Sequence, residues 1–289
     1  GVFEYAASYI SAASPYETFL KTVEKHLAPG GKIVIAIENK YGLKYFAGCK
    51  EDHTGRFFEG IEGYSNTAGV RTFSKQGLTN LIERAGLHGE FYYPYPDYKL
   101  PHTIYSDARL PGEGDLNTNL RNFDADRAVL MDEAKAFDEL IREGMFPQYS
   151  NSYLVLISKE KPQIPAERII YARYASERCD DFAACTYITQ KDNGERAVYK
   201  AALTAKANAH VELIAKTYES LRELYQGAGL LPNKSRLLPK KEEGACVTAD
   251  QLMKRCSRVE LEYIEGTSLE QHLNHLQDEQ NYEEMLTLI

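Results

Sequence analysis

The chain has 289 residues, 43% of them hydrophobic and 26% charged, with a formal net charge of -8. That length gives roughly two domains on a prior of about 100–200 residues each, and the acidic balance excludes a broad basic face for nucleic acid. No run approaches the roughly 18 apolar residues needed to cross a bilayer, and no signal-peptide pattern opens the chain. The five cysteines are scattered and form no CxxC pair, so neither a zinc site nor a disulfide framework is indicated. A cytoplasmic location is the natural expectation. The opening "GVFEYA" and the helical close "YEEMLTLI" are expected to be the ends of a fragment.

Ser14-Pro15-Tyr16-Glu17 reads as a capping box with Pro at the first helical position. Phe19, Leu20, Val23 and Leu27 then recur at helical spacing, and Ala28-Pro29-Gly30-Gly31 ends the helix. The strand expected over Lys32–Ile37 is β-branched and, from Ile33, continuously apolar, as a parallel strand covered on both faces would be. Helix, turn and buried strand make half of a βαβ unit, and in such sheets ligands lie beyond the carboxyl ends of the strands. Glu38, Asn39, Lys40 and Tyr41 hold that place after this strand, and Glu4 and Tyr5 after the one before it. A buried strand emerging into an ordinary polar turn gives the same pattern.

Residues 41 to 70 form a connection longer than usual, rich in Tyr, Phe, Gly and charge, and such loops are often lids. Lys44, Arg56 and Tyr64, with Lys40 and Tyr41, are candidate contacts for a hydroxylated or anionic acceptor. His53 is a candidate general base, because imidazole titrates near neutrality; a solvated loop carrying one exposed His fits as well. In "RTFSKQGLTNLIERAGL" (71–87), Leu78, Leu81, Ile82 and Ala85 give a helical stripe and Gly86 suits the C′ position. "EFYYPYPDYKLP" (90–101) reads as a strand and an extended stretch whose tyrosines either stack on sugar rings or fill a core edge. "DADRAVLMDEAKAFDELIREGMF" is an amphipathic helix with Asp124 as N-cap, Val129, Phe137, Leu140 and Ile141 facing inward, and Gly144 as its stop. "NSYLVLISKE" gives a last strand, and the proline-broken "KEKPQIP" sets a boundary: residues 1–160, a linker over 161–165, and residues 166–289.

The series "GVFEYA…FLKTVEKHLAPGGKIVIAIEN" and then "RTFSKQGLTNLIERAGL" resembles the second half of class I S-adenosylmethionine-dependent methyltransferases. The resemblance lies in a strand ending like "vLEhl", a helix leading to "L-x-PGG", and an aromatic-Ser/Thr-x-x-x-Leu helix before antiparallel last strands. It implies an α/β fold with an incomplete Rossmann-like sheet, S-adenosylmethionine as donor, and cofactor contacts from Val2, Glu4, Tyr5 and Asn39. The family's glycine-rich loop and ribose-binding acid would precede Gly1. Neither "GCKEDHTG" nor "GEGDL" stands between a buried strand and a helix to replace them. Residues 1–289 alone are therefore expected to bind the cofactor poorly or not at all.

From Arg168 the pattern changes to short strands, "RIIYARYA", "FAACTYIT" and "RAVYKAAL", with Asp192-Asn193-Gly194 as a hairpin turn. A helix with Val211, Ile214, Tyr218, Leu221 and Tyr225 follows, and then "RVELEYIEGTSLEQHL" gives a strand, a linker and a helix capped by Thr267 or Ser268. This order resembles the α+β N-terminal lobe of kinase-like folds, especially aminoglycoside and lipopolysaccharide phosphotransferases. The resemblance implies that Lys200 contacts nucleotide phosphates, that Glu212 or else Glu219 is its partner, and that Glu262 and Ile264 offer backbone groups to adenine, with ATP and magnesium as ligands. Lys200 reads equally well as a lysine snorkelling from a strand end. No H-x-D-x-x-x-x-N loop follows Leu273, and "YASERCDDF" lacks the G-x-G-x-x-G of a phosphate-covering loop.

The two resemblances together imply a methyltransferase fragment, inactive alone, fused to a kinase-like lobe. The acceptor would be a sugar, glycan or sugar phosphate in bacterial surface-polysaccharide assembly. The alternative is a noncatalytic scaffold that retains both folds to hold a partner or polymer. Oligomeric state is not legible.

Overall fold

The computed structural model describes residues 2–65, 67–118, 127–161, 167–175, 177–225, 234–239 and 256–288. Phe3–Tyr5 and Ala6–Tyr9 form two short helical turns. Helix α1 (Pro15–Glu24) starts at Pro15, but the capping box expected there does not form: the Ser14 side chain makes no cap hydrogen bond. Thr18 donates its amide and hydroxyl to the Ser14 carbonyl at 3.0 and 2.9 Å, and Glu17 reaches instead to Arg84. Strand β1 (Ile33–Glu38) and helix α2 (Lys75–Arg84) follow, with Ser74 accepting the Gly77 amide at 3.1 Å as N-cap. Gly86 lies at φ +78°, the left-handed C′ geometry its sequence position called for.

Strands β2 (His88–Tyr95) and β3 (Thr103–Ser106), helix α3 (Glu133–Arg142) and strand β4 (Ser152–Ser158) complete the first half. Asp132 caps α3, accepting the Ala134 amide at 3.0 Å; the earlier candidate, Asp124, lies outside the described residues. Val129, expected to face inward, precedes α3 and is exposed. Phe137 is fully buried, with Leu140 and Ile141 packed beside it. The tyrosines of β2 divide by period: Phe91, Tyr93 and Tyr95 share one face, and Tyr93 and Tyr95 meet the Phe146 and Phe137 rings edge-on. They fill the core.

The second half contributes β5 (Glu167–Tyr174), β6 (Ala184–Lys191), β7 (Arg196–Ala202), helix α4 (Asn208–Leu224), β8 (Ser235–Leu238), β9 (Arg258–Leu261), and helices α5 (Leu269–Asp278) and α6 (Tyr282–Leu288). The Asp192–Gly194 turn closes the β6–β7 hairpin with Gly194 at φ +86°. Ser268 and Gln271 form a full capping box on α5. Strand β8 was not anticipated. Of the stretch read as a linker, residues 162–165 lie outside the described residues.

The nine strands among the described residues join one sheet, in the order β1-β4-β2-β3-β5-β6-β7-β9-β8, and every neighbouring pair is antiparallel. The protein is therefore mixed α/β with an antiparallel sheet. The seam between the halves is the β3–β5 pairing, Ile104 opposite Ala172. The expectation of a parallel strand covered on both faces is overturned for β1. Among the described strands it pairs only with antiparallel β4, and Val34 points outward, 62% exposed, while Ile33, Ile35 and Ile37 face the core. Because β1 and β2 are each antiparallel to β4, they run parallel to one another on either side of it, and α2 lies on the connection between them. Ile35, Val155 and Phe91 stand in register across these three strands. The main core lies here, against α1, α2 and α3. The second half has smaller clusters, one of them built of Ala184, Ala202, Ala207, Val211 and Val259 beneath α4.

Candidate functional site

Three pieces of chain converge just past the carboxyl end of β1: the Phe3–Tyr5 turn, the strand end at Glu38, and the 41–70 connection. His53 is where they meet. Its Nδ1 lies 2.9 Å from Glu51 Oε1, and its Nε2 lies 3.6 Å from Glu4 Oε1 and 3.9 Å from Glu38 Oε2. The Tyr5 ring stands edge-on to the imidazole, 5.6 Å between centroids. Glu51 is fixed by its own turn, accepting the amides of His53 and Thr54 at 2.9 and 2.8 Å. The three glutamate side chains are 1–3% exposed.

Such dry carboxylates persist only when paired. Glu38 Oε1 accepts the Tyr98 hydroxyl at 3.1 Å and lies 3.2 Å from Lys99 Nζ, both residues coming from beyond the end of β2. Lys99 also reaches Asp52 at 3.2 Å, and Lys44 bridges Asp52 and Asp97 at 2.9 and 3.1 Å. Tyr45 donates its hydroxyl to Asp52. Five carboxylates thus surround three basic side chains. Glu38 Oε2 is buried and meets no hydrogen-bond donor among the described residues.

The electrostatics follow from this packing. Burial alone would lower the His53 pKa, but hydrogen bonds to Glu4 and Glu51 and the charges of Glu38 and Glu51 outweigh it and raise the imidazole to about 10. This setting favours the charged imidazole at neutral pH, a donor among acids, whereas a general base would have to be neutral. Burial pushes Glu4 and Glu51 up, yet the His53 contact wins and lowers both. Burial likewise opposes the ionisation of Asp52, and Lys44 and Tyr45 overcome it, holding its carboxyl at about 2. Lys44 is held well above the usual lysine range despite burial, by Asp97 and Asp52.

The remaining candidates separate by accessibility. Asn39 is fully buried: its amide donates to the Gln148 and Ser150 carbonyls at 2.7 and 2.8 Å, and its Oδ1 accepts the Tyr41 amide. It is a fastening between β1 and the segment before β4, with both amide hydrogens used in that role. Lys44 is consumed by its two aspartates. Tyr64 is buried, donating to Glu51 at 3.1 Å and touching Thr72. These two hold the 41–70 segment in place, so the segment is a packed wall at these points. Val2 and Arg56 are exposed, and Lys40 lies with its Nζ 4.5 Å from the Tyr41 ring centroid. Sequence reading passed over Glu51, Asp52, Asp97, Tyr98 and Lys99. The available signal was the charge placed just past the β2 aromatics, in "PDYK".

In the second half, Lys200 sits on β7 opposite Thr186 and Val259. Glu212, its expected partner, accepts the Ser257 hydroxyl at 2.6 Å. Burial, then the charge of Arg178, lowers the Lys200 pKa, where a carboxylate alongside would raise it. Lys200 and Arg178 also depress His210, after burial. Glu219 is paired with Arg222 at 3.3 Å. Glu262 donates its amide to the Lys234 carbonyl at 2.9 Å, and Ile264 is exposed.

No helix among the described residues is long and apolar enough to cross a membrane. Comparison with protein-family models, with curated proteins and with solved structures finds no match.

Proposed function

We propose that this chain is the later part of an S-adenosylmethionine-dependent methyltransferase acting on a sugar or glycan hydroxyl, joined to a kinase-like lobe. One observation carries the reading: the turn at Glu4–Tyr5 and the end of β1 face each other across His53, in a dry, carboxylate-rich corner. The parallel relation of β1 and β2 around antiparallel β4 is in keeping with the antiparallel last strands of the family resembled.

When bound, S-adenosylmethionine supplies a sulfonium methyl as electrophile. The residues present fit one wall of such a site. An excess of carboxylates favours a cationic donor, and His53 and Lys99 hold carboxylates of this corner in place by charge pairing. Glu38 Oε2, buried 3.9 Å from His53 Nε2 with no hydrogen-bond donor among the described residues, keeps unused lone pairs in this corner, which makes it our candidate for the acceptor hydroxyl's proton. The remaining contribution is orientation of the reactants. The glycine-rich turn and the ribose carboxylate of the family resembled have no counterpart in the sequence of residues 1–289.

Calorimetric titration of S-adenosylhomocysteine into residues 1–289 and into the product of the complete gene tests this. Saturable heat from the complete product, with little from residues 1–289, is expected. Absence of heat from the complete product refutes the reading. The engagement of Glu212 by Ser257 favours a second reading for the kinase-like half, a lobe that holds a ligand or partner without phosphoryl transfer.

A further inference from the structure

A separate constellation lies at the seam of the two halves, away from His53. Arg109, just past β3, and Arg196, the first residue of β7, both donate through Nη1 to the hydroxyl of Tyr263, at 3.2 and 3.1 Å. Tyr263 follows β9. The Arg109 guanidinium also lies 4.9 Å from the Tyr171 ring centroid, and that of Arg196 lies 5.5 Å from the ring of Tyr263. Two like charges are thus brought together on one neutral oxygen. Asp115, which acts with Arg109 on Tyr105 and Tyr171, directs one carboxylate oxygen to the Gly112 amide at 2.8 Å. Arg109 Nε is buried with no acceptor among the described residues.

Converging cations without a counter-charge are costly unless an anion joins them. The phenol oxygen already accepts from both arginines, so its own proton is left to donate. Two guanidinium groups gathered on one hydroxyl, with donors left over on each, suit a group with several charged oxygens. A phosphate monoester carries about -1.5 to -2 charge and three such oxygens, which matches two arginines. All three side chains are half-buried, so the spot is reachable from solvent.

We propose that Arg109, Arg196 and Tyr263 form a phosphate-binding site across the seam between the two halves, taking free phosphate or the phosphate of a small phosphorylated metabolite. The site does not depend on the methyl-transfer reading. Its occupant would fasten the β3 side of the first half to the β7–β9 side of the second.

Calorimetry of the chain with inorganic phosphate and, separately, with glucose 1-phosphate tests the proposal. Saturable binding of at least one probe is expected, weakening with added salt. Arg109→Gln and Arg196→Gln should each lower affinity about tenfold or more, as expected for losing a charged hydrogen bond. Tyr263→Phe, which keeps the ring and removes the hydroxyl, should lower it about fivefold. Arg222→Gln, an exposed charge on α4, should leave it unchanged. Tighter binding of inorganic phosphate assigns free phosphate as the ligand, tighter binding of glucose 1-phosphate assigns an ester, and equal affinity supports a site that contacts the phosphate group alone. Absence of saturable binding at millimolar probe overturns the site, as does binding that survives both arginine substitutions. If an arginine variant does not fold, the Tyr263→Phe comparison decides.

Discussion

Replacing His53 by Gln removes one positive charge from among Glu4, Glu38 and Glu51 while retaining a side chain of similar reach and one hydrogen-bond donor. The three carboxylates lie 2.9–3.9 Å from the imidazole nitrogens. A single pair of charges at about 4 Å is worth roughly 4 kcal/mol at an effective dielectric of about 20, before desolvation is counted. Breaking a buried pair from one side costs roughly 3–5 kcal/mol, because the partners stay buried. At roughly 2–4 °C per kcal/mol for a chain of this class, the midpoint should fall by roughly 6–20 °C. The pH dependence separates charge from packing. The folded-state pKa of His53 is raised from 6.5 to about 10, so its contribution is whole below about pH 6.5 and is lost as pH rises through about 10. Thermal melts followed by circular dichroism should therefore show a large gap between native chain and variant near pH 6, closing towards pH 10. An equal gap at both values would show that His53 acts by packing alone and would refute the charged-clamp account.

Lys44→Met should destabilise the chain by roughly 3 kcal/mol, the low end for a buried pair, because Lys99 still reaches Asp52. Urea titrations check this and its acid limb: Asp52 is depressed from 3.8 to about 2, so its contribution is present above about pH 3.8 and is lost as pH falls through about 2. The native chain should lose midpoint over that window more steeply than the variant, and identical acid limbs would count against the pairing. Gly48→Ala should cost more than Gly55→Ala. At Gly48, φ is +112° and an added Cβ would meet the Ala128 carbonyl oxygen at 2.3 Å, whereas at Gly55 φ is +65° and no atom lies within 4 Å. The first combines about 1–3 kcal/mol of backbone strain with a backbone clash, and equal unfolding midpoints for the two variants would contradict the close approach of residue 128 to that turn.

Much of the chain's local form was written in short stretches of sequence. The stripe of Leu78, Leu81 and Ile82 between Ser74 and Gly86, the Asp192–Gly194 hairpin and the Ser268 cap each depend on residues a few positions apart, so period and capping chemistry suffice to place them. The failures share the opposite property. "SPYE" satisfies a capping pattern, yet Glu17 is drawn to Arg84, 67 residues away. "IVIAI" has the apolar content of a doubly covered strand, but only the pairing with β4 decides that Val34 faces outward.

The candidate site divides in the same way. That polar residues follow β1 was plain from the sequence, but the strand expected before Glu4 and Tyr5 is a helical turn and the parallel pairing expected of β1 is absent among the described strands. His53 stood out by its chemistry. Its protonation did not, because the pKa of an imidazole is set by which carboxylates the fold brings within 4 Å, and Glu4, Glu38 and Glu51 come from three separate segments. Composition and periodicity determined the longer helices, most strands and the acidic net charge. The tertiary structure alone decided the strand order, the union of both halves in one sheet and the ionisation of the buried cluster. Sheet pairing and Coulomb energy depend on distances through space, and those are fixed only once residues remote in sequence have packed.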